Sequence, residues 1–285
     1  MDDIVVVGQI ARDLVLVVDE VPGPGGTAPV RERREMLGGK GANIAVGLAQ
    51  LGAPVALVGV VGDDDIGARL IARAAADGIS TGAVVRREEC ATGLIVDLVA
   101  DGWRYLEDLP DGVLLREEDV PVDLIERAAA VVVQLQQRPE VALRAARAAS
   151  GRVVLDGAPE RLRDELLACA DVVRADHKEA ELLSGRKIKT ADDAVSAARA
   201  LMPKELVAFA VDDVGNVFVW DGGELVVPLG DVEVVDTTGG GDAFVAALTF
   251  ALTRGDSPED AAKRAVEASG ATVTHPGGRP DLTGR

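Results

Sequence analysis

From Val120 onward the chain alternates short β-branched or aliphatic runs with longer alanine-rich stretches. A helix to Ala128 is followed by strand Val131 to Val133, a helix to Ala149, strand Val153 to Leu155, a helix to Ala168 and strand Val172-Val173. Strands so uniformly apolar need cover on both faces, and consecutive parallel strands need a crossover long enough to hold a helix. The pattern predicts an α/β fold with a mainly parallel central sheet flanked by helices on both faces. Apolar residues make up 48% of the chain and aromatics only 2%, so the core is aliphatic. At 285 residues one large core can form, and no repeat, low-complexity tract or long polar linker divides it. A single domain over residues 1–285 is expected.

Upstream, Ile4 to Gly8 and Val55 to Val60 read as buried strands, and Gly41 to Leu51 and Ile66 to Ala76 as helices. Leu14 to Val18 and Val30 to Met36 flank the break Pro22-Gly23-Pro24-Gly25-Gly26, while Gly93 to Val99 and Trp103 to Leu106 flank Ala100-Asp101-Gly102 as a hairpin. These segments, near 12–37 and 92–108, are expected to form a small β-structure projecting from the main body.

A ligand in such an architecture belongs at the carboxyl ends of the parallel strands. Two glycine clusters stand at strand-to-helix junctions. The later one, Asp236-Thr237-Thr238-Gly239-Gly240-Gly241-Asp242-Ala243-Phe244, follows the β-branched run Val232 to Val235 and opens an apolar stretch. Its glycines let the backbone turn closely, so N–H groups and the positive end of a helix can face an anion, with Asp242 beside them as a base. Phosphoryl transfer asks a protein chiefly for positioning, charge neutralisation and an acceptor for the hydroxyl proton. Taken alone, three glycines and an acid are equally an ordinary turn before a helix. The second cluster, Gly38-Gly39-Lys40-Gly41-Ala42-Asn43, makes that reading harder to sustain.

Neither common phosphate fingerprint accounts for the upstream cluster. A Walker-type loop is broken because Gly41 follows Lys40 and Arg34 stands at the earlier glycine position. The dinucleotide pattern starting at Gly39 would require glycine where Ile44 stands.

The two clusters, in this order, resemble the two signatures of the PfkB, or ribokinase-like, family of sugar and nucleoside kinases. The resemblance extends from Val5 to about Gly278. It implies a ribokinase-like fold with a small β-sheet lid, ATP as donor, Mg2+ as cofactor and K+ as activator. It also implies a sugar or sugar-like substrate and a homodimer joined through the lid. Asp242 would take the substrate hydroxyl's proton, and the amides of Gly239, Gly240 and Gly241 would neutralise the phosphoryl oxygens. Asp13, Gly39, Lys40, Asn43 and Gln136 would surround the sugar. Asp176, Glu179, Asp212, Gly215 and Thr237 would serve the nucleotide. Glu179 would hold magnesium through water, and Asp236 and Thr238 a monovalent cation.

Several positions depart from the family pattern. Asp176 stands where the family's Asn-x-x-Glu motif has Asn, and with Glu179 it also reads as a capping box at a helix start. Asp212 and Asp213 leave only Gly215 of a Gly-x-x-Gly segment, or form an ordinary turn. Ala11 replaces the Asn of an Asn-x-Asp sugar motif, and Gln136 stands where the family's sugar kinases place Glu. Gly240 replaces Ala without removing an N–H. These differences leave open a nucleoside kinase, or a divergent non-catalytic sugar- or nucleotide-binding member.

A formal net charge of −18 argues against nucleic acid as a partner. Cys90 and Cys169 have neither metal nor disulfide spacing and are expected as buried, reduced thiols. His177 and His275 lack a nucleophile partner and are read as non-catalytic. No apolar run approaches a membrane span, so a cytoplasmic protein is expected.

Overall fold

The computed structural model describes residues 4–88, 90–201, 203–228, 237–274 and 278–284. The strands are, in chain order, β1 Ile4–Val7, β2 Ala11–Val18, β3 Val30–Gly38, β4 Val55–Gly62, β5 Ser80–Arg87, β6 Leu94–Val99 and β7 Trp103–Asp108. They continue with β8 Ala130–Gln134, β9 Arg152–Asp156, β10 Val172–Ala175, β11 Leu206–Val211, β12 Gly215–Trp220 and β13 Gly223–Val227. The helices are α1 Lys40–Gln50, α2 Asp65–Ala76, α3 Val122–Glu126, α4 Pro139–Ala148, α5 Arg163–Cys169, α6 His177–Ser184, α7 Ala191–Leu201, α8 Gly240–Thr253 and α9 Pro258–Thr272.

A nine-stranded sheet in the order β13-β12-β11-β10-β9-β8-β1-β4-β5 forms the body. From β11 to β5 every neighbouring pair is parallel, whereas β12 and β13 add an antiparallel hairpin at one edge. Alternate residues of each strand feed opposite cores. Val5, Val7, Val131, Val133, Leu155 and Val173 face helices α3 to α7. Ile4, Val6, Val132, Val154 and Val172 face α1, α2, α8 and α9. Full burial of each such Val or Leu side chain is worth about 1.5–3 kcal/mol against an exposed one, and the many fixed backbone residues consume most of the sum.

A second sheet, ordered β3-β2-β6-β7, is the lid. It is antiparallel at β2–β3 and β6–β7 but parallel at β2–β6. Asp64, the N-cap of α2, ties the entry to β6 back to the body. Its carboxylate accepts from the Gly67 N–H at 2.7 Å, the Thr92 N–H at 2.8 Å and the Thr92 hydroxyl at 2.7 Å. Lid and body therefore meet at a hydrogen-bonded joint rather than a free linker.

The predicted helix before Ala128 contracts to Val122–Glu126, because Pro121 precedes it and the chain before that makes a 3-10 turn over Glu117–Asp119. β5 was not anticipated, since an edge strand reading Ser-Thr-Gly-Ala-Val-Val-Arg-Arg is half exposed and shows no apolar run. Cys90 and Cys169 are free as expected but only half-buried, a correction to the buried thiols predicted. The strand predicted at Val232 to Val235 lies outside the described residues.

Candidate functional site

Both glycine clusters let a helix start close to the carboxyl end of the sheet. At α1 the need is steric. A Cβ on Gly41 would lie 2.7 Å from the Gly8 Cα, and one on Gly39, whose φ is +85°, would meet the Gln9 carbonyl oxygen at 2.9 Å. Gly38 leaves room for an acid: a Cβ there would stand 1.9 Å from the Asp13 carboxylate. Gly38→Ala is thus expected to displace Asp13 while α1 keeps its start. If Asp13 holds the sugar, the variant raises the sugar KM by at least about tenfold, the scale of one lost charged hydrogen bond, and moves the ATP KM little. Steady-state kinetics in both substrates checks this.

α8 begins at Gly239, which adopts φ +70° against the Gly278 carbonyl. The first turn of a helix has N–H groups without intrahelical acceptors, and here it opens toward the lid. Among the described residues, the Gly240 N–H reaches the Thr237 carbonyl at 3.4 Å, a long contact. Asp242, in that turn, is buried, and its Oδ2 accepts a hydrogen bond from the Asn43 amide at 3.0 Å. One side chain from each cluster thus meets the other across a separation of 199 positions in the chain.

Under the two helix starts a polar row crosses the sheet. Gln134 pairs with Asp156, and Asp156 with Arg174, on adjacent strands. Gly8 follows the Val7–Val133 pair, so it leaves the next place in the row without a side chain. Arg174 Nη1 donates to Asp156 Oδ1 at 3.1 Å, with both residues buried. The guanidinium lies 5.9 Å from the Phe244 ring centre and 2.7 Å from where a Gly241 Cβ would be. Gly241 is therefore glycine because Arg174 occupies the adjoining space.

The charges are mutually dependent. Burial pushes Asp242 up to about 6, opposed by the Lys40 ammonium; Asp156 adds to the rise, while the Asn43 amide and Arg174 restrain it. Burial disfavours charge on Lys40, but Asp156, Asp242 and Glu179 outweigh it and hold the ammonium above its ordinary value. Arg174 is likewise held above the usual range, with burial overcome by Asp156, Glu179 and Asp242. Burial, reinforced by Asp156, raises Glu179. A carboxylate that titrates near 6 beside a permanent cation can accept a proton at neutral pH.

Asp13, Gly39, Lys40, Asn43, Asp176, Thr237, Thr238, Gly239, Gly241 and Asp242 line one cleft of about 350 Å³. Arg174 completes its floor and Ile95, Tyr105 and Glu107 its lid side. Asp13, Ile95 and Glu107 are direct cross-strand neighbours on the lid, so they present one row to the cleft. Asp156, Arg174, Tyr105 and Glu107 were not singled out from the sequence. A charged residue ending an apolar run, as in Val153-Val154-Leu155-Asp156 and Val172-Val173-Arg174, was the available signal for two of them.

Glu179, Asp212, Gly215 and Gly240 are not among the residues that line this cleft, although Glu179 is tied to Asp176, which is. Asp176 and Glu179 form a capping box at α6: Glu179 N–H donates to Asp176 Oδ1 at 2.9 Å, and Asp176 N–H to Glu179 Oε2 at 2.8 Å. Asp212 lies in the β11–β12 turn, where its N–H donates to His177 Nδ1 at 3.1 Å. Gly215 has φ +117°, and a Cβ would meet the Val227 carbonyl oxygen at 2.3 Å, so its glycine answers to the hairpin. Gln136 is exposed and is not among the residues lining the cleft, whereas Gln134 is buried. Asp236 and His275 lie outside the described residues.

No group of three His, Cys, Asp or Glu side chains capable of holding a metal occurs among the described residues. A magnesium ion carried by nucleotide phosphates needs only one or two protein carboxylates, and the Asp176–Glu179 pair fits that requirement, with one oxygen of each outside the capping box.

The profile of the pfkB family carbohydrate kinases matches residues 1–283. The chain is 31% identical to a ribokinase of Haemophilus influenzae over 98% of its own length and 95% of that protein's. Among solved structures, a Thermotoga maritima ribokinase superposes with a TM-score of 0.85 at 29% identity, over 98% of this chain and 95% of that one. An Arabidopsis thaliana ribokinase solved with ribose and ATP shares the fold, with a TM-score of 0.81 at 24% identity over 97% and 94% of the two chains.

Proposed function

Because the chain belongs to the pfkB family of carbohydrate kinases, we propose that it transfers the γ-phosphate of ATP to a hydroxymethyl group of ribose or a related sugar. The observation that carries this reading is Asp242, buried at the opening of α8, held by Asn43 and titrating near 6. In the reaction the sugar hydroxyl oxygen bonds to the γ-phosphorus while the bond from that phosphorus to the bridging β,γ-oxygen breaks. The hydroxyl proton passes to the Asp242 carboxylate. The backbone N–H groups of Gly239, Gly240 and Gly241 would face the phosphoryl oxygens, that of Gly240 leaving its long 3.4 Å contact with the Thr237 carbonyl, and Lys40 and Arg174 supply positive charge beside them.

Asp13, Gly39, Lys40 and Asn43 hold the sugar against the lid row of Ile95 and Glu107. Gln136, exposed at the mouth of β8, reaches the sugar only if the cleft tightens around it. Asp176, Thr237 and the turn at Asp212 to Gly215 border the nucleotide. Magnesium, when bound, would neutralise the β- and γ-phosphates, with Glu179 holding one of its waters. Asp236 and Thr238 would hold a potassium ion behind the glycine turn. On the lid, Val30, Trp103 and Leu106 are exposed apolar side chains, which supports a homodimer through that sheet. No helix among the described residues is long and apolar enough to cross a membrane, in keeping with a cytoplasmic kinase.

ADP formation by the purified protein with magnesium and potassium, across pentoses, hexoses, ketoses and nucleosides, tests the reading. The expected result is ADP release that depends on ribose or a close relative. Release driven only by nucleosides would move the substrate to that class. Ligand-dependent thermal stabilisation without any ADP would mark a non-catalytic binder.

A further inference from the structure

A second cavity, of about 410 Å³, lies between the lid and α2. It is lined by Arg12 on β2, Arg69 and Arg73 on α2, and Arg279 near the carboxyl end, with Ile66 and Leu70 supplying an apolar wall. Among the described residues, two carboxylates serve the four guanidinium groups. Glu35 takes Arg12 at 2.8 Å and also lies in the field of Arg69. Asp77 is shared, at 3.3 Å from Arg73 and 2.7 Å from Arg279. Such a concentration of positive charge is unexpected in a chain of net charge −18, and no part of the phosphoryl-transfer cleft uses it.

We infer that this cavity is a separate binding site for a small organic phosphate, with its anionic head on the arginines and an apolar or aromatic body against Ile66 and Leu70. Arginine is suited to phosphate because its planar fork matches the oxygens in pairs and is only weakly hydrated. The volume lies in the range of small-molecule pockets, and a wall combining apolar surface with a few charged groups is their usual make-up. A ligand smaller or wholly polar would leave the Ile66–Leu70 side unused.

The site joins three parts of the kinase cleft from behind. Arg12 is the neighbour of Asp13, the cavity residues Met36 and Leu37 run into Gly38-Gly39, and Arg279 follows Gly278, whose carbonyl packs on Gly239. Arg12 stands on the lid strand β2 and Arg69 and Arg73 on α2 of the body, so an anion touching all three is bound best when β2 and β3 rest against α2. By linkage, its binding favours that arrangement.

The probe is 1-naphthyl phosphate, a phosphate on an aromatic body whose fluorescence reports binding. Wild-type protein, Lys40→Ala and Arg69→Gln/Arg73→Gln are compared by fluorescence titration, with far-UV circular dichroism confirming that the exposed arginine changes leave the fold intact. The expected result is saturable binding in the wild type, an unchanged Kd in Lys40→Ala, and a Kd raised at least about tenfold in the double variant. Absence of saturable binding, an unaffected double variant, or loss of binding in Lys40→Ala would each overturn the assignment, the last by placing the probe in the kinase cleft. Hydrogen exchange of wild-type residues 30–38 is expected to slow with the probe bound; unchanged exchange would overturn the bridging role. None of these readouts depends on kinase turnover.

Discussion

Asp242→Asn is expected to lower turnover by at least about 10²-fold, the loss typical of a positioned proton acceptor, while leaving sugar and nucleotide binding nearly intact. Asn keeps the shape of the side chain and can still meet the Asn43 amide, so the change isolates proton acceptance. Turnover near the wild-type level would remove Asp242 from that role. The wild type carries a further signature. Because Asp242 titrates near 6, its kcat is expected to fall as pH drops through about 6 and to be level above it. A profile flat down to pH 4.5 would contradict the assignment.

The same variant has an opposite effect on stability. A carboxyl whose folded pKa lies above its unfolded value favours the folded state when protonated, so the wild type loses stability as pH rises from about 3.8 to about 6. Asn pays no such charge penalty. It is therefore expected to be more stable than the wild type at pH 8 by up to about 3 kcal/mol, with the advantage gone below pH 4. Urea unfolding at the two pH values reads this directly.

Arg174→Met is expected to destabilise the protein by about 3–5 kcal/mol, because Asp156, 2% exposed, would be left without the partner that its burial requires. Replacing both ends of the pair, as Asp156→Asn/Arg174→Met, should recover much of that loss, since removing a whole buried ion pair is often nearly neutral. A single variant as stable as the wild type in urea would show that the pair contributes nothing. The positioning role has its own readout. Arg174 restrains the rise of the Asp242 pKa, so the acid limb of the rate profile should move to higher pH in the single variant. A merely structural arginine would lower stability without moving that limb.

The glycine clusters were legible because their demands are local. Gly39 and Gly41 must lack a Cβ for α1 to start against Gly8 and Gln9, and Gly239 must adopt a positive φ. The alternation of strands and helices was legible for the same reason, since each run carries its own periodicity. The Asp156–Arg174 pair was not, because its members are 18 residues apart and meet only when β9 and β10 lie side by side. Each alone reads as the polar end of an apolar strand. At Gln134-Leu135-Gln136 a resemblance selected the third residue, whereas strand alternation turns the first toward the same core face as Val132 and into the polar row. The capping box at Asp176 and Glu179 was foreseen from spacing, but spacing could not reveal that burial and Asp156 act on the same glutamate.

The scarcity of aromatic residues gives the lid an optical label of its own. The chain has two tryptophans and one tyrosine. Trp103 stands on β7 with its ring centre 4.7 Å from that of Tyr105, which faces the cleft, whereas Trp220 belongs to β12 near the far edge of the body. Emission from Trp103 thus reports the surroundings of the lid, and Trp220 provides a stationary background that a Trp220→Phe change would remove. A change in the surroundings of the lid on adding sugar would therefore be read by stopped-flow fluorescence on the unlabelled protein, before any phosphate is transferred.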